Sequence, residues 1–586
     1  MICGIKGKGT RVYQIGTAAA ILILFVIENV NAFSSLFSSP PKHVIHHRIQ
    51  SASSLIRPRN INLTRISNCP SYSALLAVEY EQDTDSDSDE GNNHSTYLSD
   101  ENVGKAILSL AVPALASLAI DPLMTLADTA FIGRTADDSS ALAGMGSAAA
   151  LLTFSFYIFN FLCTVTTPLV SKKRAAKDNV GAIEVGSQAL SLAIVLGFTL
   201  STVLIAFSQP LLLLMGTFNT GLEANAYATS FLTIRALAAP AVFVSSGSTG
   251  ILRGYLDTKT ALFLVATANV INFTLDVILI GVLHMGPTGA AIATTTAEWL
   301  CALYFLFVLA GKVPSADGKL GSNQTWKEGI HPDASSYTHL DSPDFLVITP
   351  TLVLPPWSNI KPLIVAASSV FIRSFMLQLS IAGAAAAAAR TQTIESSASA
   401  SIAAHQIGLQ IWLLCSFICD ALAAASQTLV ADGLGKSDQN IVRTISRKIF
   451  TYSLFLGFFL AGCLELGDRT GILLNFFTTD ETTQLALKPL LGVLILAQPL
   501  NSFVFAADGV IQGASEFEFQ AKSMILSASV AMMSFFVLHY FGDPSNSLSY
   551  IWYSLVILQM MRGITSLNKL VDDGGPIDLL GRKLLL

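Results

Sequence analysis

Charged residues are scarce in this sequence. Only 13% of its 586 residues are Asp, Glu, Lys or Arg, whereas soluble domains carry about 25%. So few charges cannot cover a water-facing globule, which excludes an ordinary soluble protein. What is present instead is apolar: hydrophobic residues make up 52% of the chain, and long apolar runs recur from residue 104 onward. A run of about 20 such residues crosses a bilayer, so the sequence predicts an integral membrane protein with the lipid bilayer as its partner.

Several kinds of site are missing as well. The seven cysteines show no CxxC or zinc-type spacing, and the closest pair is Cys415 and Cys419, so no metal site is expected. Residues 433–437 (GLGKS) resemble the end of a P-loop, but Val430 stands where its first glycine must be, so ATP is not expected. The low pI and the lack of a long basic patch argue against a nucleic-acid partner. No Ser-His-Asp arrangement indicates an enzyme, and no cofactor is expected.

The first residues have the pattern of a signal peptide. A basic start is followed by a short apolar stretch over residues 15–27 and by Ala32, a small residue at a possible cleavage site. The basic residues are Lys6, Lys8 and Arg11. An uncleaved anchor helix is the alternative.

The stretch that follows is typical of a transit peptide. Residues 33–78 contain no acid but several arginines and many serines. A signal peptide joined to such a stretch resembles the bipartite leaders of algae with secondary plastids, so a plastid envelope is predicted, with a plasma or endomembrane as the alternative. Residues 79–102 are strongly acidic and predict a disordered tether. Residues 1–102 are therefore interpreted as a leader plus tether.

Twelve apolar helices are predicted after the leader. The loops that follow the even-numbered helices are basic, as in Lys172, Lys173, Arg174 and Lys177 after the second helix, whereas the odd-numbered loops carry little base. The positive-inside rule therefore places the even loops and both termini in the cytosol or stroma. The predicted helices are 105–133, 141–170, 184–208, 226–252, 260–284, 287–311, 361–389, 400–430, 445–467, 484–512, 520–541 and 549–565.

The two halves of this region repeat at an offset of about 260 residues. Arg253-Gly254 corresponds to Gln512-Gly513, and Leu142-Ala143 corresponds to Ile402-Ala403. An offset of six helices predicts a parallel repeat whose axis runs along the membrane normal, an arrangement that transporters use for alternating access. The predicted units are an N-lobe (103–311), an inner-side linker (312–360), a C-lobe (361–565) and a C-terminal tail (566–586).

Three segments resemble one transporter family. They are AVPALASLAIDPLMTLADTAFIGR (111–134), RGYLDTKT (253–260) and the segment that begins ANVINFTLDVILIG at residue 268. They are similar to the multidrug and toxic compound extrusion (MATE) family, and within it to the bacterial DNA-damage-inducible F proteins and their plant plastid relatives. The resemblance covers roughly residues 103–565. It implies an all-α protein of twelve transmembrane helices in two six-helix lobes related by a pseudo-two-fold repeat. It also implies export of small organic solutes in exchange for H⁺ or Na⁺, and a monomer is expected.

The resemblance also implies a proton-coupling cluster in the N-lobe. Asp128 matches the acidic residue of the family's first helix, and Asn272 and Asp276 match a polar pair on the fifth. Thr294 matches a hydroxyl of the same network, and Asp121 lies two turns before Asp128 on the same helix face. A carboxylate inside the membrane is costly and marks a functional position. The alternative for Asp128 is a polar residue at the outer interface.

A hinge and a substrate cleft are further expectations. Pro113 matches a helix-bending proline of the family, with a helix-start proline as the alternative. The seventh predicted helix contains Arg373 but no carboxylate, which favours H⁺ over Na⁺ as the coupling ion. Five polar residues are candidates for the substrate cleft, with snorkelling to the interface or inter-helix pairing as the alternative. They are Arg373, Arg235, His405, Gln406 and Asp508.

Three alternative functions remain beside the H⁺ antiporter. They are a Na⁺-coupled exporter of the same family, a flippase for lipid-linked oligosaccharides and a membrane prenyltransferase. A flippase needs a broad cationic cleft, and intramembrane Arg and Lys are sparse here. A prenyltransferase needs paired DDxxD motifs, and Asp137-Asp138 is followed by serines. Organic acids, phenolics and drugs all remain possible substrates.

Overall fold

The computed structural model describes the membrane region of the chain. The described residues are 100–135, 139–158, 160–214, 222–311, 347–350, 357–388, 398–478, 480–542, 546–572 and 575–579. The predicted leader and nearly all of the tether lie outside them, as do the side chains of Asp121 and Asp128. The first helix begins at Asp100, so the last residues assigned to the tether are helical.

Sixteen α-helices make up the described part of the chain, and no strand is found in it. Helix α8 continues directly into a π-helix, Val277–Val282. In chain order the helices are α1 (Asp100–Thr135), α2 (Ser139–Ile158), α3 (Phe161–Ala175), α4 (Asn179–Ala206), α5 (Ser208–Leu214), α6 (Leu222–Ala236), α7 (Ala239–Gly254), α8 (Thr258–Asp276), α9 (Gly286–Leu309), α10 (Trp357–Ala388), α11 (Ala398–Gly435), α12 (Gln439–Arg469), α13 (Ile472–Phe477), α14 (Glu481–Gly513), α15 (Phe517–Phe541) and α16 (Ser547–Val571).

These helices form the twelve predicted spans. Ten stretches are long and apolar enough to cross a membrane, and the bent pair α6–α7 makes an eleventh. Helix α16, with 25 residues, coincides with the predicted twelfth span. The N-lobe contains α1, α2–α3, α4, α6–α7, α8 with its π-helix, and α9, and the C-lobe contains α10, α11, α12, α14, α15 and α16. The short helices α5 and α13 were not predicted, and they occupy equivalent loops of the two lobes.

One N-lobe span is interrupted where the sequence predicts a continuous helix. The fourth span bends by 46° between α6 and α7, just before Pro240. Proline lacks an N–H and clashes with the preceding turn, so it commonly marks such a bend. The carbonyls exposed there find donors on α9: the Trp299 indole N–H donates to Leu237 O at 3.1 Å, and the Thr295 hydroxyl to Ile234 O at 3.3 Å.

The predicted repeat is visible in the inner turns. Lys177 and Ser437, 260 residues apart, both have positive φ, at 61° and 58°. Each precedes an aspartate whose side chain caps the next helix, Asp178 on α4 and Asp438 on α12. A hydrogen bond from the Lys173 ammonium, aided by the Gly181 N–H, lowers the pKa of Asp178 below its ordinary value. The third span of each lobe therefore begins with the same arrangement, a residue of positive φ followed by a capping aspartate.

Each lobe also repeats one close helix crossing. At Gly254 in α7 a Cβ atom would lie 2.8 Å from Val170 of α3, and at Gly513 in α14 it would lie 2.9 Å from Val430 of α11. Only glycine admits this approach, and both pairs are related by the repeat offset. Equivalent helices of the two lobes therefore cross at equivalent glycines.

After its sixth span each lobe docks a short fold-back segment on its inner face. The Ile348 N–H donates to Leu309 O at 2.8 Å, and Ile348 is fully buried over Gly186. In the C-lobe the Leu579 N–H donates to Leu570 O at 2.9 Å, and Ile577 is buried. We call residues 347–350 and 575–579 the N-lobe and C-lobe fold-back segments.

Candidate functional site

The predicted polar pair of the fifth span is deeply buried. Asn272 is 3% exposed, and Asp276, one turn later on the same face of α8, is fully buried. The Asn272 Oδ1 atom accepts no hydrogen bond within the described part of the chain. A buried carboxylate beside a buried amide is costly to maintain in a membrane, so the pair is a candidate functional position.

Asp276 is the last residue of α8, and the π-helix begins directly after it. π-helical turns are rare and are found frequently at functional sites, because the extra residue displaces the backbone from regular hydrogen bonding. Helix α1 packs along both α8 and the π-helix. The helix that carries Asp121 and Asp128 therefore lies beside Asp276, although their side chains are outside the described residues.

Thr294 and Pro113, also predicted in the N-lobe, lie in regular helices. The Thr294 hydroxyl donates to Ala290 O within α9 at 2.9 Å. Pro113 lies in the interior of α1, thirteen residues after its start, so it is not a helix-start proline. The structure shows α1 as one uninterrupted helix, and the hinge role stays a prediction.

Arg235 faces a partner within the N-lobe. Its guanidinium forms a two-pronged ion pair with Glu298 of α9, with Nη2 to Oε1 at 2.8 Å and a shorter contact from Nη1 to Oε2. Both side chains are mostly buried. The inter-helix alternative from the sequence therefore describes Arg235 in this conformation.

Arg373 and Asp508, predicted separately, are brought together in the C-lobe. Arg373 Nη2 lies 2.5 Å from Asp508 Oδ2, and Arg562 Nη2 contacts the same oxygen. The Gln520 amide donates to Asp508 Oδ1 at 3.2 Å. The sequence analysis did not single out Arg562, since its position near the end of the twelfth span makes it look like a basic residue of the inner tail. The helix continues to Val571, and Arg562 is only 3% exposed.

The two neighbouring candidates on α11 point in different directions. His405 is 1% exposed, with its ring centroid 5.7 Å from that of Trp552, whereas Gln406 is exposed. Asp420, further along α11, was missed by the sequence analysis. Arg253 from the N-lobe and Arg373 from the C-lobe lie near enough for their charges to reach it.

The lobes are held together at their inner ends. Arg174 of α3 pairs with Asp432 of α11, and the Ser171 hydroxyl donates to Thr428 O at 3.1 Å. At Gly435 a Cβ atom would lie only 2.3 Å from the carbonyl oxygen of Lys172. This cluster, which we call the inner gate, joins the two lobes next to the basic loops.

Comparison with known proteins agrees with this architecture. The family model MatE matches residues 113–278 and 391–538, one segment in each lobe and more than half of the chain in total. The chain belongs to the MATE family. MATE proteins are transporters rather than enzymes, and this chain is accordingly an efflux transporter for small molecules.

Two relatives and one solved structure illustrate the likeness of this MATE protein. It is 29% identical over 506 residues to Protein DETOXIFICATION 44, chloroplastic, of Arabidopsis thaliana, covering 82% of this chain and 84% of the relative. It is 25% identical to the DNA damage-inducible protein F of Escherichia coli, covering 79% and 90%. The fold also matches a MOP superfamily transporter from Pyrococcus furiosus, with a TM-score of 0.66, 18% identity, and coverage of 82% and 96%.

Proposed function

We propose that this MATE protein is an antiporter that exports small organic solutes in exchange for H⁺. The observation that carries the proposal is the fully buried Asp276, placed at the junction of α8 and its π-helix beside α1. In this proposal Asp276 and Asp128 bind the transported proton, Asn272 and Thr294 complete their polar surroundings, and Asp121 adjusts the local charge. Pro113 serves as the hinge of α1.

The proposed transport cycle depends on the free-energy cost of burying a charged carboxylate. A deprotonated carboxylate in the protein interior is stable only with polar partners or water, whereas its protonated form tolerates an apolar environment. Protonation from the acidic side therefore favours closer packing of α1 against α8 and expels solute from the adjacent space. Opening of the inner gate then exposes the site to the opposite side, where the proton leaves.

The C-lobe supports H⁺ over Na⁺. Sodium requires several oxygen ligands with net negative charge, but Asp508 is shared by Arg373 and Arg562. Helix α10 contains no carboxylate that could take the place of Asp508. The Na⁺-coupled exporter remains the second candidate.

A plastid envelope is the membrane that we propose. Support comes from the acid-free leader over residues 33–78 and from the word "chloroplastic" in the name of the Arabidopsis relative. A fluorescent protein fused after residue 102 of the leader would test this directly. Fluorescence at the plasma membrane would contradict it.

The coupling proposal is tested in reconstituted vesicles under an imposed pH gradient. We expect Asp276→Asn and Asp128→Asn to lower gradient-driven efflux to the level of empty vesicles, because neither amide can bind and release a proton. Glu518→Gln is the matched control, since Glu518 is an exposed acid at the inner end of α15 whose partner, Lys522, is also exposed. It should transport like the wild type.

The outcomes separate the two candidate ions. Efflux that follows a sodium gradient at constant pH would support the Na⁺-coupled exporter. Undiminished pH-driven efflux in correctly inserted Asp276→Asn would remove Asp276 from the coupling path.

A further inference from the structure

A narrow cavity lies inside the C-lobe between α10, α11, α14 and α16. Trp412 and Trp552 form part of its walls, Asn501 and Gln559 supply polar groups, and Leu377 adds apolar surface. The space amounts to about 470 Å³ when its open mouth is included, but without side-chain movement it admits only about one water molecule. Neither the proposed proton site nor the inner gate uses this cavity.

The orientation of the cavity amides is fixed by a chain of hydrogen bonds. Arg562 can only donate, and its Nη1 lies 2.6 Å from Gln559 Oε1, so the Gln559 nitrogen must face the other way. That nitrogen donates to Asn501 Oδ1 at 2.9 Å, and the Asn501 nitrogen donates to Ser416 Oγ at 3.3 Å. Each amide oxygen is thus engaged by a donor, and each nitrogen retains a second N–H. The cavity wall is mainly apolar, and its two amides offer these spare N–H donors with the buried Arg562 guanidinium behind them.

Buried ring nitrogens beside the cavity lack partners. Trp552 is 2% exposed and His405 is 1% exposed, and their rings are neighbours. The Trp552 Nε1 atom and both nitrogens of His405 make no hydrogen bond within the described part of the chain. Buried polar groups of native proteins are nearly always satisfied. The indole N–H and the N–H of a neutral imidazole are donors, and the other imidazole nitrogen is an acceptor, so this cluster leaves two donors for an acceptor-bearing molecule.

The N-lobe does not repeat this arrangement. At the equivalent positions, 259 or 260 residues earlier, Val242 replaces Asn501, Trp299 replaces Gln559, Met145 replaces His405, and Ala302 replaces Arg562. Because the backbone plan of the lobes is shared, the polar set is not a requirement of the fold. It is a specialisation of the C-lobe.

We propose that this cavity is a binding site for a small organic anion with a flat apolar body. The anionic group displaces the water-sized content and accepts hydrogen bonds from Gln559, Asn501 and Trp552, while Arg562 supplies positive potential from behind. The apolar body lies between Trp412 and Trp552, whose indole faces suit a planar ring. The proposal rests on the exporter function above and specifies its substrate class.

Benzoate is a suitable probe because it combines a carboxylate with a planar ring. Binding of radiolabelled benzoate to the purified full-length transporter is measured by equilibrium dialysis, with benzylammonium and benzyl alcohol as competitors of similar shape. We expect saturable binding that neither competitor displaces. Gln559→Leu should weaken benzoate binding at least about tenfold, the value of one lost charge-supported hydrogen bond.

Two further variants distinguish a loss of binding from a loss of folding. Gln188→Leu removes a buried amide of α4 that bonds Glu184 in the same helix, and it should bind benzoate like the wild type. If Gln559→Leu is not monodisperse, Gln559→Glu replaces it, since a carboxylate there pairs with Arg562 and repels the probe. Unchanged benzoate binding in both Gln559 variants, or equal displacement by benzylammonium, would overturn the proposal.

The test also distinguishes this site from the coupling mechanism. Asp276→Asn should abolish gradient-driven transport and leave equilibrium benzoate binding intact. Loss of benzoate binding in that variant would show that the probe occupies the N-lobe rather than the C-lobe cavity.

Discussion

At the residue scale, the absence of one side chain allows the inner gate to close. Gly435 lies at the crossing of α11 and α3, where a Cβ atom would be 2.3 Å from Lys172 O and 2.7 Å from Ala175. The nearer of these two atoms, Lys172 O, belongs to the backbone, which cannot move aside as freely as a flexible side chain. Glycine at this position therefore sets how closely the two lobes approach.

Gly435→Ala is expected to favour the state in which the inner gate is open. Overpacking of this kind costs about 1–3 kcal/mol in the closed state only. Spin labels at the exposed positions Asn179 and Gln439, one in each lobe, would report a longer inter-lobe distance. Gly462→Ala is the control, because a Cβ atom there meets nothing within 4 Å. An unchanged distance distribution in Gly435→Ala would show that the crossing has room to relax.

At the scale of elements, the C-lobe fold-back segment shows how a short piece of chain seals a helical lobe. Asp578 is 2% exposed and pairs with Arg443 of α12 at 2.8 Å, while Arg447 donates to Leu579 O at 3.0 Å. The N-lobe fold-back segment instead uses Ile348 and one backbone hydrogen bond. The two fold-back segments thus dock at equivalent helix ends, Leu309 and Leu570, but are held there by different side-chain interactions.

Asp578→Ala is expected to destabilise the C-lobe by about 3–5 kcal/mol, because it leaves the Arg443 guanidinium buried without its carboxylate. Thermal unfolding in detergent measures this as a lower midpoint. Arg443→Met combined with Asp578→Ala should recover much of the loss, since no buried charge is then left. A double variant that is as unstable as the single one would mean that the segment matters through its packing rather than through the ion pair.

At the scale of the whole molecule, the two lobes are joined by electrostatics as well as by packing. Asp432 of the C-lobe receives Arg174 from the N-lobe and Lys436 from its own helix, the latter at 2.8 Å. Apolar residues of α1, including Val103 and Ile107, share a buried cluster with α11, α12 and α14. Alternating access requires these inner contacts to separate in each cycle.

Arg174→Glu is expected to shift the lobes toward the open inner gate by placing two carboxylates together. The same spin labels would report the shift, and high salt should reduce it because these side chains are partly exposed. The shift caused by Gly435→Ala should not respond to salt, since it is steric. Arg174→Glu combined with Asp432→Arg should restore closure in part, with Lys436 opposing the new arginine. A salt-independent shift in Arg174→Glu would contradict the electrostatic explanation.

The periodic and compositional features of the sequence predict most of the architecture. Apolar length identifies the spans, loop charge orients them, and the correspondence of Arg253-Gly254 with Gln512-Gly513 identifies the repeat. The bend before Pro240 and the π-helix after Asp276 were not predicted, because continuous apolarity shows only that a segment crosses the membrane. Whether the helix is regular depends on neighbours such as Trp299, which satisfies a freed carbonyl.

Some residues of the candidate sites could likewise be predicted from the sequence, whereas their partners could not. Asp276 could be proposed from its match to the family's polar pair, and Asp508 from its place as an acid in an apolar run. Their partners could not, because Arg562, Arg373 and Asp420 are brought near Asp508 by contacts between helices far apart in the chain. Arg562 looked like a basic residue of the inner tail, and only the packing of α16 places it inside the lobe.

The sequence by itself determined that this protein crosses the membrane twelve times, repeats its six-helix unit and belongs among exporters of organic solutes, since these follow from local hydrophobicity, loop charge and motif. The tertiary structure alone decided that the inner gate joins the two lobes, that two arginines share Asp508, and that Asn501 and Gln559 meet Trp412 and Trp552 around one cavity. The physical reason is the sequence separation over which each interaction acts. Transfer into lipid acts on each segment separately, whereas ion pairs, hydrogen bonds and close helix crossings exist only once distant segments meet.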